Sequence, residues 1–323
     1  MKLAFVGATG MVGREMLRQV EALHLNWEVV AFASEKSAGE ELPFGGGTIT
    51  VQALPTQWPQ GIDYALMSAG GELSRRYAPQ MAACGTVVID NSSAWRQDPA
   101  VPLVVPEVNG GILRGARGII ANPNCSTIQL VHALAPLKPW GLKRVIVSTY
   151  QAVSGAGRRG VDALKAQEEG RDGPSPFPAP IHHNAIPHIG DLSDNDFTEE
   201  ENKLNFEPQK ILDLPQLQVR ATAVRLPVPH GHSESVYVEL ERPLTASDLL
   251  KAWEAHPSLR YEEGVLTPLT HVQDSDTTFV SRLRLPSDRE VMFWCVAHNL
   301  RVGAATNAAR ILHTHLTLNG GPA

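Results

Sequence analysis

The segment Asn122-Pro123-Asn124-Cys125-Ser126-Thr127 carries a thiol just after a proline-fixed turn. The apolar series that follows it, Ile128, Val131, Leu134 and Leu137, has helical spacing. The pattern predicts that Cys125 sits at a helix N-terminus. Unpaired backbone N–H groups and the positive end of the helix dipole stabilise a thiolate there. A thiolate is a nucleophile at neutral pH, so the segment predicts covalent chemistry. Cys84, in Met81-Ala82-Ala83-Cys84-Gly85, and Cys295, in Phe293-Trp294-Cys295-Val296, read instead as core filling. His182, His183 and His188 lie close together, but no cysteine or carboxylate spacing completes a zinc pattern. They read as surface or interface residues, and no metal site is expected.

A second segment with chemical content is Gly7-Ala8-Thr9-Gly10-Met11-Val12-Gly13. It joins an apolar strand expected over 2–8 to an amphipathic helix expected over 11–25. Glycines at such a turn let a dinucleotide pyrophosphate approach the backbone and rest on the helix N-terminus. Gly7, Thr9, Gly10, Met11 and Val12 are therefore cofactor-binding candidates. The next strand, 28–33, ends at Ser34-Glu35-Lys36-Ser37. Ser34 stands where an NAD enzyme typically places an acidic residue, and Lys36 and Ser37 suit a 2′-phosphate, which favours NADP. Glu35 works the other way, by repelling the phosphate or binding the ribose. Ser68 and Gly70, in Ser68-Ala69-Gly70-Gly71, end a later strand where ligands bind in parallel sheets.

The elements around these segments alternate. Strands over 63–69 and 86–90 flank a helix over 72–83, which predicts a parallel, doubly wound sheet. From Arg144 the pattern changes to long extended stretches: 144–153, 218–228, 235–240, 278–285 and 291–298. These predict a mostly antiparallel or mixed sheet in a second, α+β domain. The Pro-rich run 173–180 reads as an ordered surface excursion or a dimer arm. Thr198-Glu199-Glu200-Glu201 reads as a capping box, and Glu200 and Lys203 would share a helix face. A helical run over 303–318 is expected to return to the first domain.

The chain has 323 residues and a net charge of −6, which speaks against nucleic-acid binding. No stretch approaches the roughly 18 apolar residues of a membrane span. The first residues read as a strand running into glycine, not as a signal peptide. Three widely spaced cysteines make no disulfide framework, which points to a reducing cytoplasm.

Six ordered motifs together resemble the aspartate-semialdehyde dehydrogenase family over nearly the whole chain. They are GATGMVG at 7–13, NSSAWR at 91–96, NPNCST at 122–127, STYQAVSGAG at 148–157, RLPVPHGHSESV at 225–236 and NLRVGAATNA at 299–308. The resemblance implies a Rossmann-type dinucleotide domain over 1–124, completed by a C-terminal helix over 303–320. It implies a catalytic and dimerisation domain over 125–302. It further implies NADPH-dependent reduction of L-aspartyl 4-phosphate to L-aspartate 4-semialdehyde, in the pathway to lysine, threonine and methionine. A cytoplasmic homodimer or homotetramer is expected.

By the same resemblance Cys125 attacks the acyl phosphate and carries a thioester. His232 takes the thiol proton and later returns a proton to the departing group or the hemithioacetal. Gln151 orients the substrate, and Arg225 clamps its α-carboxylate with a bidentate fork. Arg96, Asn124 and Lys203 match phosphate contacts. Glu200 matches the group that binds the substrate amine, against the alternative of a solvated charge pair with Lys203. Asn307 matches a cofactor contact, against a helix-surface amide. Ser154 and Gly155 match a turn beside the nicotinamide, against a plain loop.

Arg225 and His232 are seven residues apart, an odd spacing that a regular strand would split between opposite faces. Pro227, Pro229 and Gly231 predict a bend or bulge that brings both to one cleft. Two rivals to the family reading stand. N-acetyl-glutamyl-phosphate reductase shares the thioester chemistry, but favours tyrosine and proline after its cysteine where this chain has Ser126 and Thr127. A non-catalytic cofactor-binding paralogue would have no need of Cys125, Gln151, Arg225 and His232 together.

Overall fold

Strand β1 (Lys2–Val6) is apolar after its first residue and lies buried inside a parallel sheet. The computed structural model describes residues 1–321. They fall into two compact units: Met1–Pro123 with the segment from Ala304 onward, and Asn124–Gly303. The described residues form one sheet of seven strands and one of six.

In the first unit, α1 (Met11–Glu21) follows β1. It stops before the predicted residue 25, and His24 takes a left-handed φ of 52° that no helix continues. Strands β2 (Glu28–Ala33), β3 (Glu41–Phe44) and β4 (Gly47–Ala53) follow. Then come β5 (Tyr64–Met67), α2 (Gly71–Ala83), β6 (Val87–Asp90), α3 (Pro106–Asn109) and β7 (Ile119–Ala121). The spatial order is β3-β4-β2-β1-β5-β6-β7. All pairings are parallel except the β3–β4 edge hairpin. That hairpin was absent from the sequence reading. Gly45 and Gly46 turn it with φ of 65° and 75°, and Pro43 sits on its outer strand, where a missing N–H costs no ladder bond. The chain leaves β1 in both directions across the sheet, so the ends of β1 and β5 form a switch point.

The second unit opens with α4 (Cys125–Leu134), then β8 (Leu142–Gln151), α5 (Arg158–Glu168) and α6 (Glu199–Leu212). Strands β9 (Gln218–Arg225) and β10 (His232–Leu240) precede α7 (Ala246–Glu254), β11 (Leu259–Tyr261) and α8 (Pro268–His271). Strands β12 (Thr278–Ser287) and β13 (Glu290–Ala297) complete a mixed sheet of order β11-β12-β13-β10-β8-β9. Helices α4 and α6 cover one face of it. Burial alternates along β9 and along β8 from Val145 onward, so the opposite face, with Ile146, Tyr150, Thr222 and Val224, is open or half-open. The Pro-rich run is largely exposed, but Phe177 and Ala179 pin it to Val153, Leu164, Ile181 and Ile186.

The helix predicted over 303–318 begins differently. Arg301–Thr306 is a π-helical turn, and α9 (Asn307–Leu318) follows. Ala308, Ile311 and Leu312 of α9 share a core with Leu3 and Phe5 of β1. Among the described residues no helix is long and apolar enough to cross a membrane.

Candidate active site

Cys125 is the first residue of α4, and Asn124 caps that helix. The Asn124 side-chain oxygen accepts from the N–H groups of Ser126 (3.0 Å) and Thr127 (3.3 Å). Its own N–H donates to Glu207 at 2.7 Å, and its side-chain amide donates to Glu200 at 2.9 Å. The turn carrying the thiol is therefore held from outside by α6. Gly303 closes over it: a Cβ there would stand 2.6 Å from the Cys125 Cβ, so a larger residue would displace the nucleophile. Gly303 lies in the π-helical turn, a distortion often found at functional positions.

The sheet supplies a row of side chains. Gln151 ends β8, and Arg225 ends β9 directly beside it. Strand β10 pairs with the other side of β8, with Ser233 opposite Tyr150; one step further along this register His232 flanks Gln151. The odd spacing of Arg225 and His232 is resolved because they occupy different strands. The chain between them crosses the end of β8, where Leu226 N–H donates to Gln151 O, and Val153 N–H to Val228 O, each at 2.9 Å. Gly231, at φ 89°, turns the chain into β10. The expected bend is thus a full break between two strands. Both side chains reach the same point: a Cβ on Gly155 would lie 2.5 Å from Arg225 Nη1 and 3.4 Å from His232 Nε2.

Hydrogen bonds knit this row to the helices. Gln151 donates to Glu200 at 3.1 Å, through the same carboxylate oxygen that Asn124 uses. Lys203 pairs with the other oxygen at 3.1 Å. Of the three glutamates in the capping box, Glu199 is exposed, and Glu201 is occupied by Thr198 N–H and Ala223 N–H. Glu200 is the one that faces the cluster, buried rather than solvated. Arg225 donates to the Ala152 carbonyl at 2.7 Å. His232 Nδ1 accepts the Ala152 N–H at 3.0 Å, while its Nε2 is buried with no partner in the protein.

The electrostatics follow from burial and neighbours. Burial would raise the Glu200 carboxyl, but Lys203, Asn124, Arg225 and Gln151 overcome it and hold it at about 2. Burial and then Arg225 push His232 down to about 3, so its ring is neutral at ordinary pH. Burial lowers Arg225 too, while Glu200 and Cys125 favour its charge. That attraction is mutual, so the guanidinium favours the thiolate form of Cys125. His298 stacks on His230 and is likewise driven down, to about 4, first by burial.

The other predicted residues lie in the first unit or at the edge of the second. Gly7 has φ 82° at the end of β1, and a Cβ there would overlap the Ser68 carbonyl at the end of β5. A Cβ on Gly13 would overlap the Gly7 carbonyl, so both glycines are needed for the strand-to-helix closure. Gly10 precedes α1 with no side-chain cap, and the first turn, with Met11 and Val12, holds no acidic residue. Its N–H groups are left for an anion, which suits a dinucleotide pyrophosphate. The Thr9 carbonyl accepts from Arg14 at 3.2 Å. Ser34 and Lys36 are exposed and Ser37 is half-buried, in a short 3₁₀ turn after β2. Gly70, at φ 85°, precedes α2.

Asn307 is no surface amide. It is buried, donates to Val104 O at 2.9 Å and Asn122 at 2.6 Å, and leaves its side-chain oxygen without a protein partner. Asn122 bonds Asn91 in turn, and the Asn91 carbonyl accepts from Arg96 at 2.9 Å. In the second unit Ser154 exchanges hydrogen bonds with Asn299.

Sequence reasoning missed several members of this arrangement. Glu207 lies seven residues beyond Glu200, two helical turns along the same face, and that periodicity was the available signal. Asn122 and Asn299 stood inside the quoted motifs without an assigned part. Ala152 left no signal, because its contribution is a backbone N–H.

Two family models match the chain. One, described as semialdehyde dehydrogenase, NAD binding domain, matches residues 2–116. The other, semialdehyde dehydrogenase, dimerisation domain, matches residues 134–302. The chain is 45% identical to an aspartate-semialdehyde dehydrogenase of Aquifex aeolicus, over 96% of each chain. It is 42% identical to that of Bacillus subtilis, over 98% of each. Among solved structures, aspartate semialdehyde dehydrogenase II of Vibrio cholerae complexed with ASA superposes with a TM-score of 0.93 at 40% identity, covering 98% of both chains.

Proposed function

Because the chain belongs to the aspartate-semialdehyde dehydrogenase family, we propose that it reduces L-aspartyl 4-phosphate to L-aspartate 4-semialdehyde with NADPH, through a thioester on Cys125. The observation that carries this reading is the row Arg225–Gln151–His232 on one sheet face, tied through Glu200 to the helix start that bears Cys125. Each group has a task. The Cys125 thiolate attacks the acyl carbon, and phosphate departs. Arg225 binds the substrate α-carboxylate, and Gln151 orients the reacting acyl group. Glu200 is an ionised carboxylate suited to an ammonium group, with Lys203 beside it for phosphate. By the family's pattern Asn124 and Arg96 would also contact phosphate. His232 donates a proton or hydrogen bond to the carbonyl-derived oxygen.

A nicotinamide cofactor supplies the hydride when bound. The glycine turn of Gly7, Thr9, Gly10, Met11 and Val12 would hold its pyrophosphate, with Ser68 and Gly70 at the neighbouring strand end. The buried Asn307 oxygen offers an acceptor for an amide, and by the family's pattern Ser154 and Gly155 would belong to the nicotinamide contacts. Ser34, Lys36 and Ser37 favour NADP over NAD, since the strand β2 ends without an acid at Ser34. The open sheet face around Ile146, Tyr150, Tyr237 and Trp294 is the surface through which two copies pair as a homodimer. A reducing cytoplasm suits its three cysteines, which form no disulfide.

Phosphate-dependent reduction of NADP with aspartate semialdehyde, followed by reduced-nicotinamide absorbance, tests the assignment. Activity with the N-acetyl-glutamate analogue alone would replace it with the reductase rival. No activity with either would leave a cofactor-binding paralogue.

A further inference from the structure

We infer that Glu207 is a positioning residue for the nucleophile: from α6 it completes the cap that begins α4, and so fixes where Cys125 stands against the groups of α6. The inference rests on the reading of Cys125 as the nucleophile.

A helix start leaves N–H groups without partners inside the helix. In a capping box the N-cap side chain accepts from the N–H three residues on, and a Glu or Gln at that third position accepts the N-cap N–H in return. Helix α6 carries both halves in its own first turn. Glu201 N–H donates to Thr198 Oγ1 at 3.3 Å, and Thr198 N–H donates to Glu201 at 2.9 Å. Helix α4 carries only one half. Asn124 Oδ1 accepts from Ser126 and Thr127, but the third position is Thr127 itself, whose buried hydroxyl does not return to the N-cap. The missing acceptor comes from the other helix: Asn124 N–H donates to Glu207 Oε2 at 2.7 Å. Glu207 is wholly buried, as are Leu204, Ile211 and Leu212 around it, so the acceptor stands on a stretch of α6 seated in the core.

The same asparagine is gripped a second time. Its Nδ2 donates to Glu200 Oε1 at 2.9 Å, two turns before Glu207 on the same face of α6. Its carbonyl accepts the Ile128 N–H at 3.0 Å. Backbone N–H, carbonyl, side-chain oxygen and one side-chain hydrogen are all committed, which leaves a single Nδ2 hydrogen for a ligand. Held at its backbone and at its side chain by one helix, Asn124 can neither slide along that helix nor turn about its own side-chain bonds. Cys125 is the next residue and inherits that placement.

An intrahelical box would cap α4 equally well, but would leave it free to shift against α6. The interhelical one ties the thiol to the element that bears Glu200 and Lys203, the groups given above to the substrate amine and phosphate. Glu207 therefore acts on the reaction through Asn124. A displacement of the reacting sulfur by about 1 Å would cost roughly 10²-fold in rate.

Glu207→Gln and Glu207→Leu in the full chain test this. Both remove any charge and only Gln keeps an acceptor oxygen, so their difference isolates the bond to Asn124. Hydrogen exchange by mass spectrometry, on a peptide spanning the first turn of α4, reports the cap without substrate or cofactor. Steady-state kinetics with aspartate semialdehyde, phosphate and NADP report the placement of the thiol. In Glu207→Leu the exchange should speed up by about tenfold or more. Its kcat should fall by about 10–100-fold while KM for NADP stays within about twofold. Glu207→Gln should keep kcat within about threefold of the wild-type value. Equal kcat in the two variants, both high or both low, would overturn the inference, because the acceptor would then make no difference. A group that only stabilises the fold would lower the melting temperature in Leu and leave its kcat equal to that of Gln. If Leu does not fold, Glu207→Asp decides, since it withdraws the acceptor by one methylene and keeps the carboxyl. Its kcat should fall about tenfold, and a wild-type kcat would overturn the inference. A wild-type chain inactive on aspartate semialdehyde would sink the proposed function and leave the cap to be judged by exchange alone. Faster exchange in Leu than in Gln would then uphold it, and equal exchange would overturn it.

Discussion

The cofactor turn and the catalytic row use opposite means. At Gly7–Gly13 the working parts are backbone: close approaches that exclude a Cβ, and N–H groups left uncapped at α1. Around Cys125 they are side chains from α4, β8, α6, β9 and β10, held by one another and, at Arg225 and His232, by the backbone of Ala152. A backbone device tolerates no added bulk but says little about chemistry. A side-chain cluster defines the chemistry, and each of its members can be removed separately.

The sharpest test of that contrast is Cys125→Ala. Turnover should fall by about 10⁴-fold or more, with cofactor affinity by fluorescence titration unchanged. Retained turnover would exclude the thioester route. Arg225→Lys should raise the substrate KM by roughly 10–100-fold with a smaller change in kcat, because a point charge replaces a fork. An unaltered KM would remove the carboxylate clamp. In the turn, Gly13→Ala should weaken cofactor binding by about tenfold and lower the melting temperature. Gly10→Ala should do much less, because its Cβ would find only the Gly7 carbonyl, at 3.3 Å. Equal effects at both positions would break the claim that closeness, and not glycine content, matters.

The smallest effect is on stability against pH. His232 and His298 have folded values of about 3 and 4, below the 6.5 of a free imidazole, so the unfolded chain binds more protons between those limits. Stability should therefore fall as pH drops from 6.5, and Glu200, held at about 2 against 4.5, extends the loss below pH 4.5. Replacing His232 with Gln should flatten the slope above pH 4.5 by up to one proton, about 1.4 kcal/mol per pH unit. Denaturant melts across that range would check it, and an unchanged slope would mean that His232 is not seated neutral.

The same contrast explains what could be read in advance. The Cys125 helix start was legible because its turn, cap and apolar stripe are contiguous. So was the glycine turn, for the same reason. The family pattern made Gln151, Arg225 and His232 visible as residues but not as a row. The parity of Arg225 and His232 raised the right question, and its answer, two strands flanking a third, is a tertiary fact. Glu200 could not be told from its neighbours until Ala223 and Thr198 were seen to occupy Glu201. The β3–β4 hairpin was readable from Gly45-Gly46 between short alternating runs, and was passed over because the runs are brief and edge-exposed.

The flanking of β8 by β9 and β10 also bears on how the site comes into being. The nucleophile leaves the ribosome more than a hundred residues ahead of His232. Its helix can form locally, while the row beside it waits for long loops to close, a slow step in folding. Activity should therefore return after helical signal during refolding, and a chain arrested before β10 would present its thiol with no donor beside it.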